Sequence, residues 1–210
     1  MKRMTAVCLL LFMAVTYSTD HSFAGRNSGS GDKKAPDVLI IYSSGTPHET
    51  ISKMDAEKAD AVTCPTPKVV NVKTTAAKLA GKLRKQGLRV RMVKAGEIKH
   101  HSEILDARLV VLGSPSYFGN MSWQLKKLMD ERFGVIYATG KKRLGSRRVA
   151  AFSMAEVESS ARETLKTIER ALRDCRGVMN PRTTFLTTHT KDDIDERVSE
   201  FAEKIATVLE

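Results

Sequence analysis

The sequence contains few cysteines and no spacing that would suit a metal ion. Three of its 210 residues are cysteine. Cys8 lies in an apolar N-terminal run, so only Cys64 and Cys175 remain, which is too few for a disulfide framework although an oxidising compartment would let them pair. His100 and His101 are adjacent, whereas zinc ligands are separated by two or more residues. We therefore predict no metal site.

Acidic residues are also scarce relative to basic ones. The 24 Asp and Glu residues are outnumbered by 35 Lys and Arg residues, which gives a formal net charge of +11. A positive surface of this size favours phosphate-bearing cofactors, acidic proteins, anionic lipid headgroups or nucleic acid, or it serves solubility alone. The only tight basic cluster is KKRLGSRR at 141–148. No zinc-finger, helix-turn-helix or RNA-binding motif is present, so no nucleic acid partner is predicted.

Residues 1–24 have the order of a signal peptide. Two early basic residues precede the apolar run AVCLLLFMAV (6–15), and SFA (22–24) places small residues at a cleavage site. The run is too short to span a bilayer, although an uncleaved N-terminal anchor is the alternative. We expect cleavage near Ala24 and a periplasmic or secreted protein. The Gly- and Ser-rich residues 25–36 predict a flexible linker, and no later segment predicts stable membrane insertion.

Short apolar segments alternate with amphipathic ones from Asp37 to the end of the chain. Buried strands are predicted at 37–42, 107–113 and 147–154, an edge strand with one solvated face at 88–93, and a last strand at 183–188. Apolar stripes predict four helices. The first runs from Thr74 to about Gly87, the third covers 159–175, and the last runs from Ile194 to Val208. The second follows residue 120 and has Met121, Leu125, Leu128 and Met129 on one face.

This alternation predicts one α/β domain over 37–210. Its five-stranded parallel sheet has the order 2-1-3-4-5, with helices on both faces as a three-layer αβα sandwich. Ligands of such a sheet bind beyond the carboxyl ends of the strands, where the strand order reverses. Residues 46–73 are an exception, because they make the first strand-to-helix loop far longer than the usual two to six residues. We expect this insertion to be a lid or a partner-facing excursion.

The stretch LGSPSYFGNMSWQLKKLMDE (112–131) leads from a buried strand into a helix. Its residues 114–120 are expected at the carboxyl edge of the sheet, where a planar ligand would lie. Small residues would let the backbone approach this ligand, and Tyr117 or Phe118 would cover a ring face. The alternative is that both aromatic side chains are hydrophobic plugs that cap the sheet.

The same stretch resembles the flavodoxin-like family, and most closely its NAD(P)H:quinone oxidoreductases and NADPH-dependent FMN reductases. In those proteins a Gly-[ST]-Pro-x-x-Phe-Gly-Asn-Met run holds the isoalloxazine ring of FMN. The matching residues here are Gly113, Ser114, Pro115, Phe118, Gly119, Asn120 and Met121. DVLIIYSSGT (37–46) resembles the first strand and phosphate loop of the family, and LGSRRVAAF (144–152) resembles the approach to the fourth strand.

The resemblance implies a flavodoxin-like fold, FMN as cofactor and a set of cofactor-binding residues. These are Ser43, Ser44, Gly45 and Thr46 for the phosphate, Ser114, Pro115, Ser116, Tyr117, Phe118, Gly119 and Asn120 for the ring, and Ser153 after the fourth strand. It implies an FMN-binding redox protein that either reduces quinone-like small-molecule acceptors with NAD(P)H or transfers electrons. The resemblance is also compatible with an oligomer. No catalytic acid or base is predicted, because the flavin carries the chemistry.

Two departures from the family leave a second function open. The insertion separates Thr46 from the first helix, so Asn71, Lys73, Thr74 and Thr75 either complete the phosphate site from its far side or leave it broken. The loop after the fourth strand, SMAEVESS (153–160), has no glycine and carries two glutamates that would disfavour an anionic flavin. The alternative is a flavodoxin-fold protein that has lost FMN and serves as an interaction module.

Overall fold

The computed structural model describes residues 35–43, 71–139, 144 and 148–210. The predicted signal peptide, nearly all of the predicted linker, Cys64 and the insertion up to residue 70 lie outside this part, as do the proposed phosphate-loop residues Ser44, Gly45 and Thr46.

Strands and helices alternate along the described chain. They are β1 (Val38–Tyr42), α1 (Val72–Lys85), β2 (Val90–Lys94), a 3-10 turn (Ala95–Glu97), α2 (Ser102–Asp106), β3 (Leu109–Tyr117), β4 (Asn120–Met121), α3 (Trp123–Leu128), a π-helical turn (Met129–Phe133), α4 (Gly134–Ala138), β5 (Arg148–Ala155), α5 (Glu158–Asp174), β6 (Val178–Leu186) and α6 (Lys191–Leu209). In the ranges described, no helix combines the length and the apolar composition needed to cross a bilayer.

The sheet confirms the predicted topology. Five parallel strands lie in the order β2-β1-β3-β5-β6, which is 2-1-3-4-5 when only the parallel strands are counted. The short strand β4 pairs antiparallel with β3 outside this order. The predicted edge strand is β2, and the strand order reverses between β1 and β3, where Tyr42 lies opposite Gly113.

Helices cover both faces of the sheet, as the sandwich architecture requires. Leu125 of α3 and Leu165 of α5 belong to the buried cluster on one face, which also contains Ile41 of β1. Leu79 of α1 and Phe201 of α6 belong to the cluster on the other face. Each helix therefore buries one apolar stripe against the strands.

Several predicted boundaries are wrong. Helix α1 begins at Val72, inside the predicted insertion, because Asn71 caps it: the Asn71 side chain accepts from Thr74 N–H at 2.9 Å, and the Thr74 hydroxyl accepts from Asn71 N–H at 3.1 Å. Met121 lies in β4 and not on the helix that follows.

The last strand starts at Val178 rather than at residue 183. Pro181 lies within it, on the outermost strand and at the register shift between Val149 and Ala151 of β5. Edge strands and bulges are the places where a sheet tolerates proline, because no ladder hydrogen bond is lost there.

Candidate functional site

The stretch between β3 and α3 is a β-hairpin and not the open loop that was predicted over 114–120. Tyr117 pairs with Asn120 across the hairpin, and Phe118 and Gly119 form the two-residue turn. Both turn residues have a positive φ, 52° for Phe118 and 74° for Gly119, as the preferred turn of a two-residue hairpin requires. The strand continues this far because Ser114 and Pro115 stay paired with β5.

Phe118 is completely exposed at the tip of this hairpin. Its relative accessibility is 108%, so the interpretation of Phe118 as a hydrophobic plug is wrong. A bulky residue with positive φ is strained by about 1–3 kcal/mol, and such strain is concentrated at functional sites. Tyr117, the other aromatic residue, is partly buried. The hairpin therefore presents an aromatic ring to solvent at the carboxyl edge of the sheet.

The small residues at the start of the matching run serve the protein interior. A Cβ on Gly113 would lie 2.4 Å from Phe152 Cζ, so the ring of Phe152 fills the space beside this glycine. Ser114 is fully buried; its hydroxyl donates to the Pro115 carbonyl at 2.8 Å and accepts from Ser122 N–H at 3.0 Å. These two residues hold the base of the hairpin.

Ser116 and Asn120 are also engaged by neighbouring groups. The Ser116 hydroxyl donates to the Ser160 carbonyl at 3.0 Å and accepts from the Thr164 hydroxyl at 2.8 Å, which ties the hairpin to α5. The Asn120 side-chain oxygen accepts from the N–H of Met121 at 2.9 Å. The part of the run that faces outwards is thus the turn itself and the exposed side chain of Asn120.

The first strand meets the hairpin through Ser43. Its N–H and its hydroxyl both donate to the Gly113 carbonyl, at 2.9 and 3.2 Å, and the residue is buried. Ser43 therefore joins the ends of β1 and β3. Its predicted role towards a phosphate group stays a prediction.

The end of α1 that would face a phosphate group is self-capped. Asn71 already accepts the N–H of Thr74, as described above, and Lys73 is exposed in the same turn. The Thr75 hydroxyl is buried, with no hydrogen-bond partner among the described residues. One of the N–H groups that flavodoxin-like phosphate sites draw from this helix end is consequently occupied by the chain itself.

Ser153 lies inside β5, where it pairs with Ser114 on one side and Thr184 on the other. It is fully buried, and its hydroxyl has no partner in the described part of the chain. Because β5 continues to Ala155, the loop beyond the strand consists of Glu156 and Val157. The loop at the carboxyl edge after the fourth parallel strand is therefore shorter than the predicted 153–160 and contains only these two residues.

Glu158, one of the two glutamates expected to repel a flavin, is held at β6. Its oxygens accept from the Thr184 hydroxyl at 2.8 and 3.0 Å and from Arg162 Nε at 2.9 Å. Burial raises the pKa of Glu158, but the hydrogen bonds from Thr184 and Arg162 outweigh it and the pKa is lowered. The carboxylate is therefore ionised at neutral pH, with both partners in α5 and β6.

Comparison with known proteins identifies the family. The family described as having a flavodoxin-like fold matches residues 36–209. The chain belongs to this flavodoxin-like family. No curated protein matches its sequence.

Solved structures share the fold of this flavodoxin-like protein at low sequence identity. Flavodoxin 2 from Bacillus cereus is 17% identical with a TM-score of 0.58, over 81% of this chain and 98% of that one. The flavodoxin WrbA-like protein from Agrobacterium tumefaciens is 14% identical with a TM-score of 0.56, over 82% and 97%. Rubredoxin oxygen:oxidoreductase from Desulfovibrio gigas is 18% identical with a TM-score of 0.57, over 84% of this chain and 37% of its own.

Two exposed residues beside the hairpin were missed in the sequence. Trp123 begins α3 and is 64% exposed, and Val157 in the loop after β5 is 54% exposed. With Phe118 they place apolar surface around the carboxyl edge of this flavodoxin-like domain. Trp123 was detectable, because the single tryptophan of the chain falls outside the apolar stripe of its helix. Val157 carried no signal, because its exposure depends on where β5 ends.

Proposed function

We propose that this flavodoxin-like protein binds FMN at the carboxyl edge of its sheet and reduces quinone-like acceptors with NAD(P)H. The observation that carries the proposal is the exposed Phe118 on a strained two-residue turn. Among the described residues, no packing contact requires an aromatic ring there, whereas a planar ligand would cover it. When bound, the flavin supplies the electron and hydride chemistry, and the protein orients and tunes it.

The residues divide into those for the ring and those for the phosphate. In this proposal the turn backbone at Phe118 and Gly119 and the side chain of Asn120 would bind the polar edge of the ring. Tyr117 and Phe118 supply aromatic surface, and Trp123 supplies further apolar surface near the edge. The phosphate would be met by Ser44, Gly45 and Thr46 with Lys73 at the start of α1. The net charge of +11 supports anionic cofactors and an anionic donor such as NAD(P)H.

We further propose that the protein works outside the cytoplasm. The support is the basic, apolar and small-residue order of residues 1–24. N-terminal sequencing of protein from an exported fraction is expected to begin near Gly25. An intact Met1 on soluble protein would contradict the proposal.

The second candidate function is an interaction module that no longer uses flavin. One observation in its favour is that the Asn71 side chain accepts the N–H of Thr74 at the start of α1, which leaves that N–H unavailable to a phosphate group. Another is that the loop after β5 contains no glycine. The interaction module is also favoured by Gly113, because the Phe152 ring covers this glycine and the core alone accounts for it. The two candidates differ in one measurable property, which is the affinity of the full chain for flavin.

Titrations with FMN and with riboflavin separate the candidates. FMN is expected to bind, and Tyr117→Ala to weaken its affinity about five- to a hundredfold through lost stacking and burial. Tyr117→Phe is the matched control, since it keeps the ring. Lys73→Glu is expected to weaken FMN but not riboflavin. Failure of the wild-type chain to bind either flavin would reject the redox function and favour the interaction module.

A further inference from the structure

A basic cleft runs along the open edge of β6, between α5 and α6. It encloses about 420 Å³ and is lined by Glu158, Arg162, Leu165, Lys166, Arg182, Thr183, Thr184 and Arg197. Four of these side chains are cationic and one is a carboxylate. None of them belongs to the residues placed at the flavin site, so the cleft is a separate feature of the surface.

The backbone of β6 contributes polar groups to this cleft. β6 is the outermost strand of the described sheet. The Thr184 carbonyl accepts from Arg197 Nη1 at 3.3 Å, and Leu186 N–H donates to His189 Nδ1 at 3.1 Å, so both residues turn their backbone groups towards the open edge. The pleat repeats every two residues, and Arg182 therefore faces the same way. Its N–H and that of Thr184 point into a groove bordered by cations.

The cations come from three elements that the sequence separates. Arg162 and Lys166 lie one turn apart on α5, Arg182 lies on β6, and Arg197 reaches the strand edge from α6. Arg182 and Arg197 meet the strand at positions two residues apart, about 7 Å along β6. Guanidinium groups so placed match the geometry and charge of phosphate oxygens, which they bind by paired hydrogen bonds.

Carboxylates around the cleft pair with its cationic side chains and would compete with a bound anion for them. Arg182 pairs with Glu169 at 2.8 Å, Lys166 with Glu163 at 2.6 Å and Arg162 with Glu158 at 2.9 Å. The cationic side chains of these pairs are 52%, 63% and 70% exposed, and exposed pairs contribute little because water and salt screen them. A multiply charged anion can displace Glu163 and Glu169. Glu158 is held by the Thr184 hydroxyl, so an anion that spans Arg182 and Arg197 would lie along the strand edge, away from that carboxylate.

We propose that this cleft binds the phosphate groups of a small anionic ligand, at a site distinct from that for FMN. The chemistry is that of a pyrophosphate: two linked phosphate groups would span Arg182 and Arg197 and accept from backbone N–H groups of the strand edge. The source is either a free inorganic phosphate or the diphosphate of a nucleotide. The proposal does not depend on flavin binding, because no residue of the hairpin takes part.

The test is an amide-shift titration of the full ¹⁵N-labelled chain, saturated with FMN where FMN binds, at constant ionic strength. Pyrophosphate is expected to shift the backbone amides of Arg182, Thr183 and Thr184. Arg182→Glu and Arg197→Glu are expected to weaken the affinity at least tenfold, and Arg182→Gln to weaken it less. Arg173→Glu is the matched control, because Arg173 is an exposed arginine on α5 outside the cleft. This variant is expected to stay within twofold of the wild type.

Further titrations identify the source of the phosphate groups and define the results that would contradict the proposal. Adenosine diphosphate that binds more than tenfold tighter than pyrophosphate assigns the site to a nucleotide, and equal affinity assigns it to free phosphate. The proposal is overturned if the amides of β6 do not move, if Arg173→Glu weakens binding equally, or if shifts occur only near Asn71 and Thr74. A glutamate-rich peptide that binds these residues more tightly than pyrophosphate would mark a protein-docking surface and also contradict it.

Discussion

Phe152 occupies the space in which residue 113 would carry a side chain. A Cβ built on Gly113 lies 2.4 Å from Phe152 Cζ and 2.6 Å from Cε1. The ring cannot easily withdraw, because it packs edge-on against Phe185 and Phe201 with centroid distances of 5.7 and 6.5 Å. The glycine that opens the flavin-like run is therefore required by the core beneath the site.

Gly113→Ala is expected to destabilise the fold by about 1–3 kcal/mol, since an extra methyl group in a packed core forces neighbouring side chains to move. The measurement is the free energy of unfolding from denaturant titration. Gly96→Ala is the matched control, because a Cβ at Gly96 meets no atom of the described residues within 4 Å. An unchanged stability of Gly113→Ala would mean that the ring of Phe152 moves aside at no cost.

Phe118→Gly is expected to separate stability from ligand binding. Glycine adopts positive φ without strain, so the variant should be as stable as the wild type or more stable, by up to about 1 kcal/mol. The same change removes the exposed ring and should lower the affinity for FMN about fivefold or more. Phe118→Tyr, which keeps a ring, is the control for affinity. A clear loss of stability in Phe118→Gly would show that the ring supports the hairpin.

Asp37 should make the fold sensitive to acid. Arg89 binds it with two side-chain hydrogen bonds of 2.8 and 2.9 Å, and this pairing lowers the pKa of Asp37 to about 2. The folded pKa lies below the unfolded value of about 3.9. The stabilisation is therefore complete above about pH 4 and is lost as the pH falls towards 2.

Melting temperatures measured from pH 2 to pH 6 test this. Asp37→Asn is expected to be less stable than the wild type near neutral pH and to lose less stability across that acid range. Asp106→Asn, which changes an exposed aspartate on α2, is the control. Parallel pH profiles for the wild type and Asp37→Asn would disprove the contribution of Asp37.

His189 should make the stability of the fold depend on pH in a higher range than Asp37 does. Burial lowers its pKa, and the charge of Arg197 lowers it further against the opposing effect of Asp193 and Glu158. Its Nδ1 accepts the N–H of Leu186 at 3.1 Å, which requires that this nitrogen carry no proton. The folded pKa lies below the unfolded value of about 6.5, so the stabilisation is complete above pH 6.5 and is lost as the pH falls below it.

His189→Asn is expected to reduce the dependence of the melting temperature on pH between 5 and 7. The comparison is the difference in melting temperature between variant and wild type at each pH, which cancels the contributions that the two proteins share. His100→Asn, on the exposed segment before α2, is the matched control for the histidine-to-asparagine change itself. A slope in His189→Asn as steep as that of the wild type would refute the assignment.

The order of the elements and the topology of the sheet were predictable from the sequence. Apolar runs such as 37–42 and the apolar–basic alternation of 88–93 encode how many faces of a strand are buried, and the helices are encoded by their apolar stripes. Crossover connections between parallel strands have one handedness, which leaves few ways to arrange the strands. The carboxyl edge as the place of the candidate site followed from the same rule.

The roles of individual site residues were not predictable in this way. Ser114 and Ser116 look alike in sequence, but one bonds the backbone of its own hairpin and the other bonds α5, which lies more than forty residues further along the chain. Phe118 was expected either to cover the face of a ligand ring or to cap the sheet as a hydrophobic plug, and the positive φ of a two-residue turn places it in solvent, which excludes the plug.

The sequence by itself determined the order of the elements and of the strands, because these depend on local periodicity and on the handedness of the connections, and its run 113–121 pointed to the family. Only the tertiary structure decided that Phe152 covers Gly113, that Phe118 is exposed, and that Arg162, Arg182 and Arg197 border one cleft. Those facts depend on contacts between residues far apart in the chain. Local spacing specifies which face of an element is buried, and it contains no information about which distant side chain fills the space beside it.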